Sequence, residues 1–218
     1  DQYFAPYSYC LHRLPSAVRM ADSAQGTDPE VAAGVTRAIA DEWEKMDLPE
    51  EVYIYGHDEP RPEHYPTLIA NYSAIKEVVP DYPIMQTIGA PAPEELVGLV
   101  DIWCPLSPRV LGDFYQQRRE AGDTLWMYTC CSPKPPHANF FVDEPGIDHR
   151  ILFWQTRQAG ATGFLYWAVC YWHGLPMPST GEPHFPDVPL RFERLGTYNN
   201  FKDNGDGVLI WPGYDYEP

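Results

Sequence analysis

The chain has 218 residues, with 15 basic and 31 acidic side chains and a formal net charge of −16 at pH 7. This negative charge disfavours binding to nucleic acid or to anionic membranes, which need clustered Lys and Arg, and no apolar run reaches the roughly 20 residues of a membrane-spanning helix. With 44% hydrophobic and 14% aromatic residues the chain can bury a sizeable core, which excludes a disordered protein.

Helical and strand-like segments alternate along the sequence. The first predicted helix covers about 28–46, with Asp28 as a suitable N-terminal cap. Its predicted apolar face has side chains spaced four apart: Val31, Val35, Ile39 and Trp43. A second helix is predicted at 61–79, with Leu68, Tyr72, Ile75 and Val79 on one face. Two more helices are predicted at 111–121 and 147–159, and five strands at 52–56, 84–88, 100–104, 124–129 and 163–169.

Strands that alternate with helices are typical of βαβ units and a parallel sheet. The loops after the strands are long and rich in polar and aromatic residues, as in a (β/α) barrel, whose chemistry lies at the carboxyl ends of the strands. A doubly wound sheet also alternates, but the glycine-rich phosphate loop usual in that fold is absent. Because five strands cannot close an eight-stranded barrel, we expect an α/β fold that is the C-terminal portion of a (β/α)8 TIM-like barrel. An upstream segment or a second chain would complete it.

The alternation stops after residue 175. We therefore expect 1–175 to form the partial barrel with its catalytic loops, and 176–218 to form a Pro/Gly-rich extension. The turn signal at 204–207 precedes a strand-like run at 208–211, which predicts a short β-hairpin or strand in this extension.

Two adjacent carboxyl groups, Asp58 and Glu59, stand where the predicted strand 52–56 ends. Gly56 permits a bend or a close approach there, Pro60 favours an extended Glu59, and a bent strand end can turn both carboxyl groups into one cavity. Two neighbouring carboxyl groups in one hollow repel, so that one holds its proton while the other stays ionised. Cleavage of a glycosidic bond needs such an acid and anion. The alternative is that both residues only cap the next helix, where the helix dipole favours acidic side chains.

Aromatic side chains follow the ends of other predicted strands: Trp103, Tyr128, Tyr166, Trp167, Tyr171 and Trp172. Rings of this kind stack on the apolar faces of sugars, although barrel cores are also rich in aromatic residues. Trp172, beyond a strand end and beside His173, fits a sugar pocket better than a core, whereas Trp103 and Tyr166 fit either role.

Other chemistries have weaker support in the sequence. The pair His57-Asp58 could hold a metal ion, but no second histidine stands at ligand spacing, so we expect no metal and no cofactor. A cysteine nucleophile needs a basic partner, and the distance in sequence from Cys130 and Cys131 to His137 decides nothing.

Six short motifs occur in an order that resembles the catalytic domain of glycoside hydrolase family 123 and its uncharacterised relatives. They are Tyr53-Ile-Tyr-Gly-His-Asp-Glu-Pro60, Asp101-Ile-Trp-Cys-Pro105, Trp126-Met-Tyr-Thr-Cys130, Arg150-Ile-Leu-Phe-Trp-Gln155, Gly163-Phe-Leu-Tyr-Trp-Ala168 and Gly205-Asp-Gly-Val-Leu-Ile-Trp-Pro-Gly213. The resemblance implies a (β/α)8 barrel and a retaining β-N-acetylgalactosaminidase.

The mechanism implied by the resemblance is substrate-assisted. The 2-acetamido oxygen of the sugar attacks the anomeric carbon and forms an oxazolinium intermediate; Glu59 is the general acid and then the base, and Asp58 orients the acetamido N–H. From their positions we expect Tyr128 to bond the acetamido oxygen and Trp167 or Trp172 to floor the sugar pocket. Further candidate substrate-binding residues are His57 and Trp103.

The sequence therefore predicts a retaining glycoside hydrolase that releases terminal β-linked N-acetylhexosamine, with N-acetylgalactosamine preferred, from a glycan or glycoconjugate. A two-carboxylate hydrolase of neutral sugars would differ only in not needing the acetamido group. The alternative from a different class is a non-catalytic glycan-binding or structural extracellular module derived from such a barrel. Acidic charge and glycan chemistry together predict a secreted or otherwise extracytoplasmic protein.

Overall fold

A computed structural model describes residues 12–14, 28–45, 52–89, 91–169, 205–207 and 209. The chain divides into two compact units. Unit 1 comprises Asp1–Pro105 and Gly112–Leu125, and unit 2 comprises Leu106–Leu111 and Trp126–Pro218. No helix in the described parts of the chain is long and apolar enough to cross a membrane.

Unit 1 contains a parallel sheet whose strands follow one another in chain order. These strands are β1 (His12–Leu14), β2 (Val52–Tyr55), β3 (Ile84–Ile88), β4 (Ile102–Pro105) and the first residues of β5 (Thr124–Thr129). Every residue of β2, β3 and β4 is buried. Sequential parallel strands with helices between them are the arrangement of a (β/α) barrel.

The described residues of unit 1 form three α-helices: α1 (Pro29–Glu44), α2 (Tyr65–Val78) and α3 (Asp113–Glu120). The predicted cap of α1 is confirmed, because the Asp28 carboxylate accepts the backbone N–H of Glu30 at 2.8 Å and that of Val31 at 3.4 Å. These bonds satisfy two of the N–H groups that have no partner inside a helix.

The predicted apolar face of α1 is wrong. Val31 is 54% exposed and Val35 is 41% exposed, whereas the helix buries a set of small side chains. That set is Ala32, Ala33, Thr36 and Ala40. Small side chains let α1 approach its neighbour α2 closely, so the shape of the contact, and not the hydrophobicity of single residues, decides which face is buried.

The predicted apolar face of α2 is confirmed. All four of its members are at most 1% exposed: Leu68, Tyr72, Ile75 and Val79. A short 3-10 helix at Pro62–His64 precedes α2 and completes the connection from β2. This connection carries the candidate carboxylate pair, so the packing of α2 and the geometry of that pair are linked.

Unit 2 contains the remainder of β5, α4 (Asp148–Gln158) and β6 (Gly163–Tyr166), with β6 parallel to β5. The aromatic ring of Phe164 on β6 packs against Phe153 on α4, with ring centroids 5.4 Å apart. All four residues of β6 are half-buried, unlike those of β2, β3 and β4.

The predicted fold class is confirmed: alternating helices and parallel strands in sequential order form part of a (β/α)8 TIM-like barrel. The five predicted strands are present, and β1 is an additional one. The three residues His-Arg-Leu are too short to show a recognisable period, so this strand could not be predicted from periodicity. The predicted boundary at 175 and most of the extension 176–218 lie outside the described residues.

Candidate active site

The chain leaves β2 through Gly56 and His57, and buried hydrogen bonds from α2 and β3 fix this turn. A Cβ atom at Gly56 would coincide with the hydroxyl of Tyr72, so only glycine leaves room for that group. The Tyr72 hydroxyl donates to Oε1 of Gln86 at 2.6 Å, and Nε2 of Gln86 donates to the His57 carbonyl at 2.6 Å. Burial raises the pKa of Tyr72, which keeps its proton available for donation.

Asp58 follows this turn, and one of its carboxylate oxygens is held by two hydroxyl groups. Oδ1 accepts from the Tyr55 hydroxyl at 2.6 Å and from Thr87 Oγ1 at 3.0 Å. Burial and the neighbouring Asp58 raise the pKa of Tyr55, so the phenol stays protonated. The Asp58 side chain is exposed, and no described hydrogen bond uses its second oxygen, Oδ2. Asp58 is therefore oriented through one oxygen and can accept a hydrogen bond from a ligand through the other.

Glu59 adopts a left-handed backbone conformation with φ of +44°, the one positive φ of a non-glycine residue in the described parts of the chain. The expectation that Pro60 holds Glu59 extended is therefore wrong. A left-handed conformation costs about 1–2 kcal/mol for an L-residue, so surrounding contacts must stabilise it. One such contact is the hydrogen bond from the Glu59 N–H to Thr87 Oγ1 at 3.2 Å. Glu59, like Asp58, is exposed, so neither side chain has the burial that the sequence argument assumed for a shared hollow.

His57 lies beside this pair in unit 1. It is 6% exposed, and its ring packs against that of His64, with centroids 4.5 Å apart and planes tilted by 56°. His64 in turn accepts the Arg61 N–H at Nδ1, 3.1 Å away. The described ring contact of His57 is thus with the short helix Pro62–His64, and a contact of His57 with substrate stays a prediction.

Trp103 is fully buried in unit 1. Its indole N–H donates to Oδ2 of Asp123 at 2.7 Å, and its ring meets Phe114 of α3 edge to face at 5.1 Å. Arg118 also donates to Oδ2 of Asp123, at 2.7 Å. The structure therefore places Trp103 between β4 and α3, and its described contacts are core contacts.

The other predicted site residues lie in unit 2 or outside the described residues. Tyr128 is buried on β5, and Trp172 lies outside the described residues. Trp167 follows β6, is half-buried and donates its indole N–H to Oδ1 of Asp206 at 2.8 Å. The Tyr166 hydroxyl donates to the same oxygen at 2.9 Å.

Asp206 is a buried carboxyl group that sequence reasoning did not select. It is 1% exposed, and burial raises its pKa, against the opposing effect of the hydrogen bonds from Trp167 and Tyr166. The sequence shows only a turn at this position. An acidic residue between two glycines is the single local signal that could have indicated a carboxyl group held inside a turn.

A cavity of about 230 Å³ lies within unit 2, against α4. None of the predicted site residues lines it. Its lining consists of Ser107, Pro108, Val110, Leu111, His137, Ala138, Gln155 and Gln158. In the described parts of the chain no three His, Cys, Asp or Glu side chains converge in a way that could hold a metal ion.

The described strands and helices place the chain among (β/α)-barrel proteins, with two adjacent carboxyl groups in the loop after a strand. The family model described as "Glycoside hydrolase 123, catalytic domain" matches residues 31–218. The chain belongs to this family, which confirms the resemblance found in the sequence motifs. A comparison with curated protein sequences finds no match.

Two solved structures are similar to the chain. One is a family 123 glycoside hydrolase from Clostridium perfringens, reported in a structural analysis of glycolipid glycan hydrolysis, with a TM-score of 0.58 and 14% sequence identity over 85% of this chain. The other is a β-glucuronidase from an uncultured Clostridium species, with a TM-score of 0.45 and 12% identity over 72% of this chain. At this identity the first similarity supports the fold alone. The chain covers 30% and 33% of the lengths of these two proteins, so it spans about a third of either one.

Proposed function

We propose that this protein is a retaining glycoside hydrolase that releases terminal β-linked N-acetylhexosamine, with N-acetylgalactosamine preferred, by substrate-assisted catalysis. Membership of family 123 supports glycosidic hydrolysis. The observation that carries the finer proposal is the state of Asp58, whose Oδ1 is held by Tyr55 and Thr87 while Oδ2 has no described hydrogen bond. The Asp58 side chain is exposed and is oriented through Oδ1, so Oδ2 suits the N–H of an acetamido group.

In the proposed first step, Asp58 Oδ2 accepts the N–H of the 2-acetamido group and orients its oxygen towards the anomeric carbon. That oxygen forms a bond to the anomeric carbon while the glycosidic C–O bond breaks, and Glu59 gives its proton to the departing oxygen. The nitrogen of the resulting oxazolinium ion carries positive charge, which the Asp58 carboxylate stabilises.

In the second step, Glu59 accepts a proton from a water molecule whose oxygen attacks the anomeric carbon. The bond between that carbon and the acetamido oxygen breaks, so the oxazolinium ring opens and the acetamido group is restored. Each step inverts the configuration at that carbon, so the product retains the original one. The protein then needs no nucleophile of its own, because the substrate provides it.

A glycan substrate also agrees with the family 123 glycoside hydrolase from Clostridium perfringens, whose structural analysis concerns glycolipid glycan hydrolysis. Glycan chemistry together with the charge of −16 supports a secreted or otherwise extracytoplasmic location for the present protein.

The test is hydrolysis of an aryl β-N-acetylgalactosaminide by the full chain and by Asp58→Asn and Glu59→Gln. We expect Glu59→Gln to lower kcat/KM by about 10²–10⁴-fold on a substrate with a poor leaving group, because the acid assists departure, and by less on a nitrophenyl substrate. Asp58→Asn should lower the rate on both substrates, because it removes the anion that faces the acetamido nitrogen.

Glu63→Gln is the matched control, because it makes the same change at an exposed glutamate of the neighbouring 3-10 helix and should leave the rate unchanged. A Glu59→Gln variant as fast as wild type would contradict the proposal. Equal rates on the corresponding galactoside, which lacks the acetamido group, would contradict substrate assistance. No turnover, with glycan binding that survives Asp58→Asn and Glu59→Gln, would instead support a non-catalytic glycan-binding module.

A further inference from the structure

We propose that the end of β3 positions the carboxylate pair, with Thr87 and Gly89 as positioning residues for Asp58 and Glu59. Neither residue carries chemistry of its own in this proposal, and both act through the neighbouring loop. The inference rests on the proposed function, since it assigns the groups that hold the proposed acid and its partner in place.

Thr87 is hydrogen-bonded to both members of the pair. Its hydroxyl donates to Asp58 Oδ1 at 3.0 Å and accepts the Glu59 N–H at 3.2 Å, and it lies 2.9 Å from the Tyr55 hydroxyl. Thr87 is 1% exposed and belongs to a strand that is buried throughout. One hydroxyl on a buried strand therefore bonds two residues of a loop. Sites built on strands are held more precisely than sites on loops, so this contact restricts the positions of the loop residues.

Gly89 leaves room for the carboxylate of Glu59. A Cβ atom at position 89 would lie 2.8 Å from Cδ of Glu59 and 3.0 Å from each of its carboxylate oxygens. The Glu59 carboxylate thus occupies the space that any other residue at 89 would fill. The φ of Gly89 lies outside the left-handed region, so the steric conflict with Glu59, and not a left-handed backbone, is what alanine would meet at this position.

Thr87 therefore holds the backbone of Glu59, and glycine at position 89 leaves free the space that the Glu59 carboxylate occupies. An alanine at 89 would displace the carboxylate by at least about half an ångström, because ordinary contacts between such atoms begin near 3.4 Å. A valine at 87 would remove the hydroxyl that accepts the Glu59 N–H. The backbone of Glu59, whose φ is already unfavourable, would then lose one of the contacts that stabilise it. Shifts of this size at an acid that must reach one oxygen are known to be costly for the rate.

The experiment compares Gly89→Ala, Thr87→Val and Thr87→Ser with wild type on two N-acetylgalactosaminides, one with a poor leaving group and one with a nitrophenyl group. We expect Gly89→Ala and Thr87→Val to lower kcat by about 10–100-fold on the poor leaving group, by less on the nitrophenyl substrate, and to change KM little. Thr87→Ser keeps the hydroxyl and should recover most of the rate. Gly34→Ala makes the same change as Gly89→Ala where no atom lies within 4 Å, and should leave kcat unchanged.

Crystal structures of wild type and Gly89→Ala provide a readout that does not depend on activity. The expected result is a displaced Glu59 carboxylate on an unchanged β3; a carboxylate in its original place would overturn the inference. With an active wild type and an impaired Glu59→Gln, wild-type rates for Gly89→Ala and Thr87→Val would also overturn it while the proposed function stands. An inactive wild type would count against the proposed function, and the crystal structures would still decide the positioning.

Discussion

Asp206 shows how burial controls a single carboxyl group in this protein. Two hydrogen bonds, from Tyr166 and Trp167, converge on its Oδ1, and the Gly207 N–H donates to the Tyr166 hydroxyl at 2.7 Å. These bonds favour the ionised form, but the loss of water around the buried group opposes them and has the larger effect, so the pKa of Asp206 is raised.

The raised pKa predicts a pH-dependent stability. The folded protein holds the Asp206 proton more tightly than the unfolded chain, so protonation of Asp206 contributes to the free energy of unfolding. This contribution is complete below the pKa of aspartate in the unfolded chain, about 3.9, and is lost as the pH rises through the higher pKa of the folded protein. Asp206→Asn mimics the neutral acid. We therefore expect the Tm of Asp206→Asn to increase relative to that of wild type as the pH rises from about 4.

Thermal unfolding of both proteins across the acidic range measures this difference. Asp143→Asn, at an exposed position of the same unit, makes the same change in charge and is the control. A Tm difference that is independent of pH, or that moves in favour of wild type, would contradict the assignment.

At the scale of elements, α1 and α2 differ in how well their buried faces follow from the sequence. The face of α2 consists of large apolar side chains, and burial of such side chains is strongly favourable. The face of α1 consists of small side chains that fit against α2, while its larger valines stay exposed. A ranking of residues by hydrophobicity therefore finds the first face and misses the second.

This difference predicts that the two sides of α1 tolerate added side-chain volume to different degrees. Ala40 is fully buried, so Ala40→Leu should lower the free energy of unfolding by about 1–3 kcal/mol through overpacking. Val35→Leu, on the exposed side of the same helix, should change it by less than about 0.5 kcal/mol. Denaturant unfolding measures both values. A tolerated Ala40→Leu together with a costly Val35→Leu would show that the face predicted from the sequence is the buried one.

At the scale of the whole molecule, the charge of −16 is the dominant electrostatic feature. The described ion pairs include Lys76 with Asp101 and Arg118 with Asp123, both at short distance. Such local pairs offset a few charges, but the excess of acidic side chains leaves a long-range repulsion that disfavours the compact state.

Screening by salt should therefore stabilise this protein. Raising the ionic strength from about 10 mM to about 150 mM shortens the Debye length from about 30 Å to about 8 Å, which weakens repulsion between distant charges more than attraction within close pairs. We expect Tm to rise, equally in NaCl and KCl, because screening does not depend on the identity of the cation. A fall in Tm would show that the close ion pairs outweigh the net repulsion.

The sequence by itself determined the order of helices and strands, the parallel (β/α) class, the cap of α1, the apolar face of α2 and the place of Asp58 and Glu59 after a strand. These features depend on periodicity, capping and turn residues, which act between neighbours in the chain. Only the tertiary structure decided the left-handed φ of Glu59, the hydrogen bonds of Thr87, the buried position of Asp206 and the face of α1. The reason is that these features depend on partners far apart in sequence: Thr87 lies 28 and 29 residues from the pair that it holds, and Asp206 lies 40 residues from Tyr166.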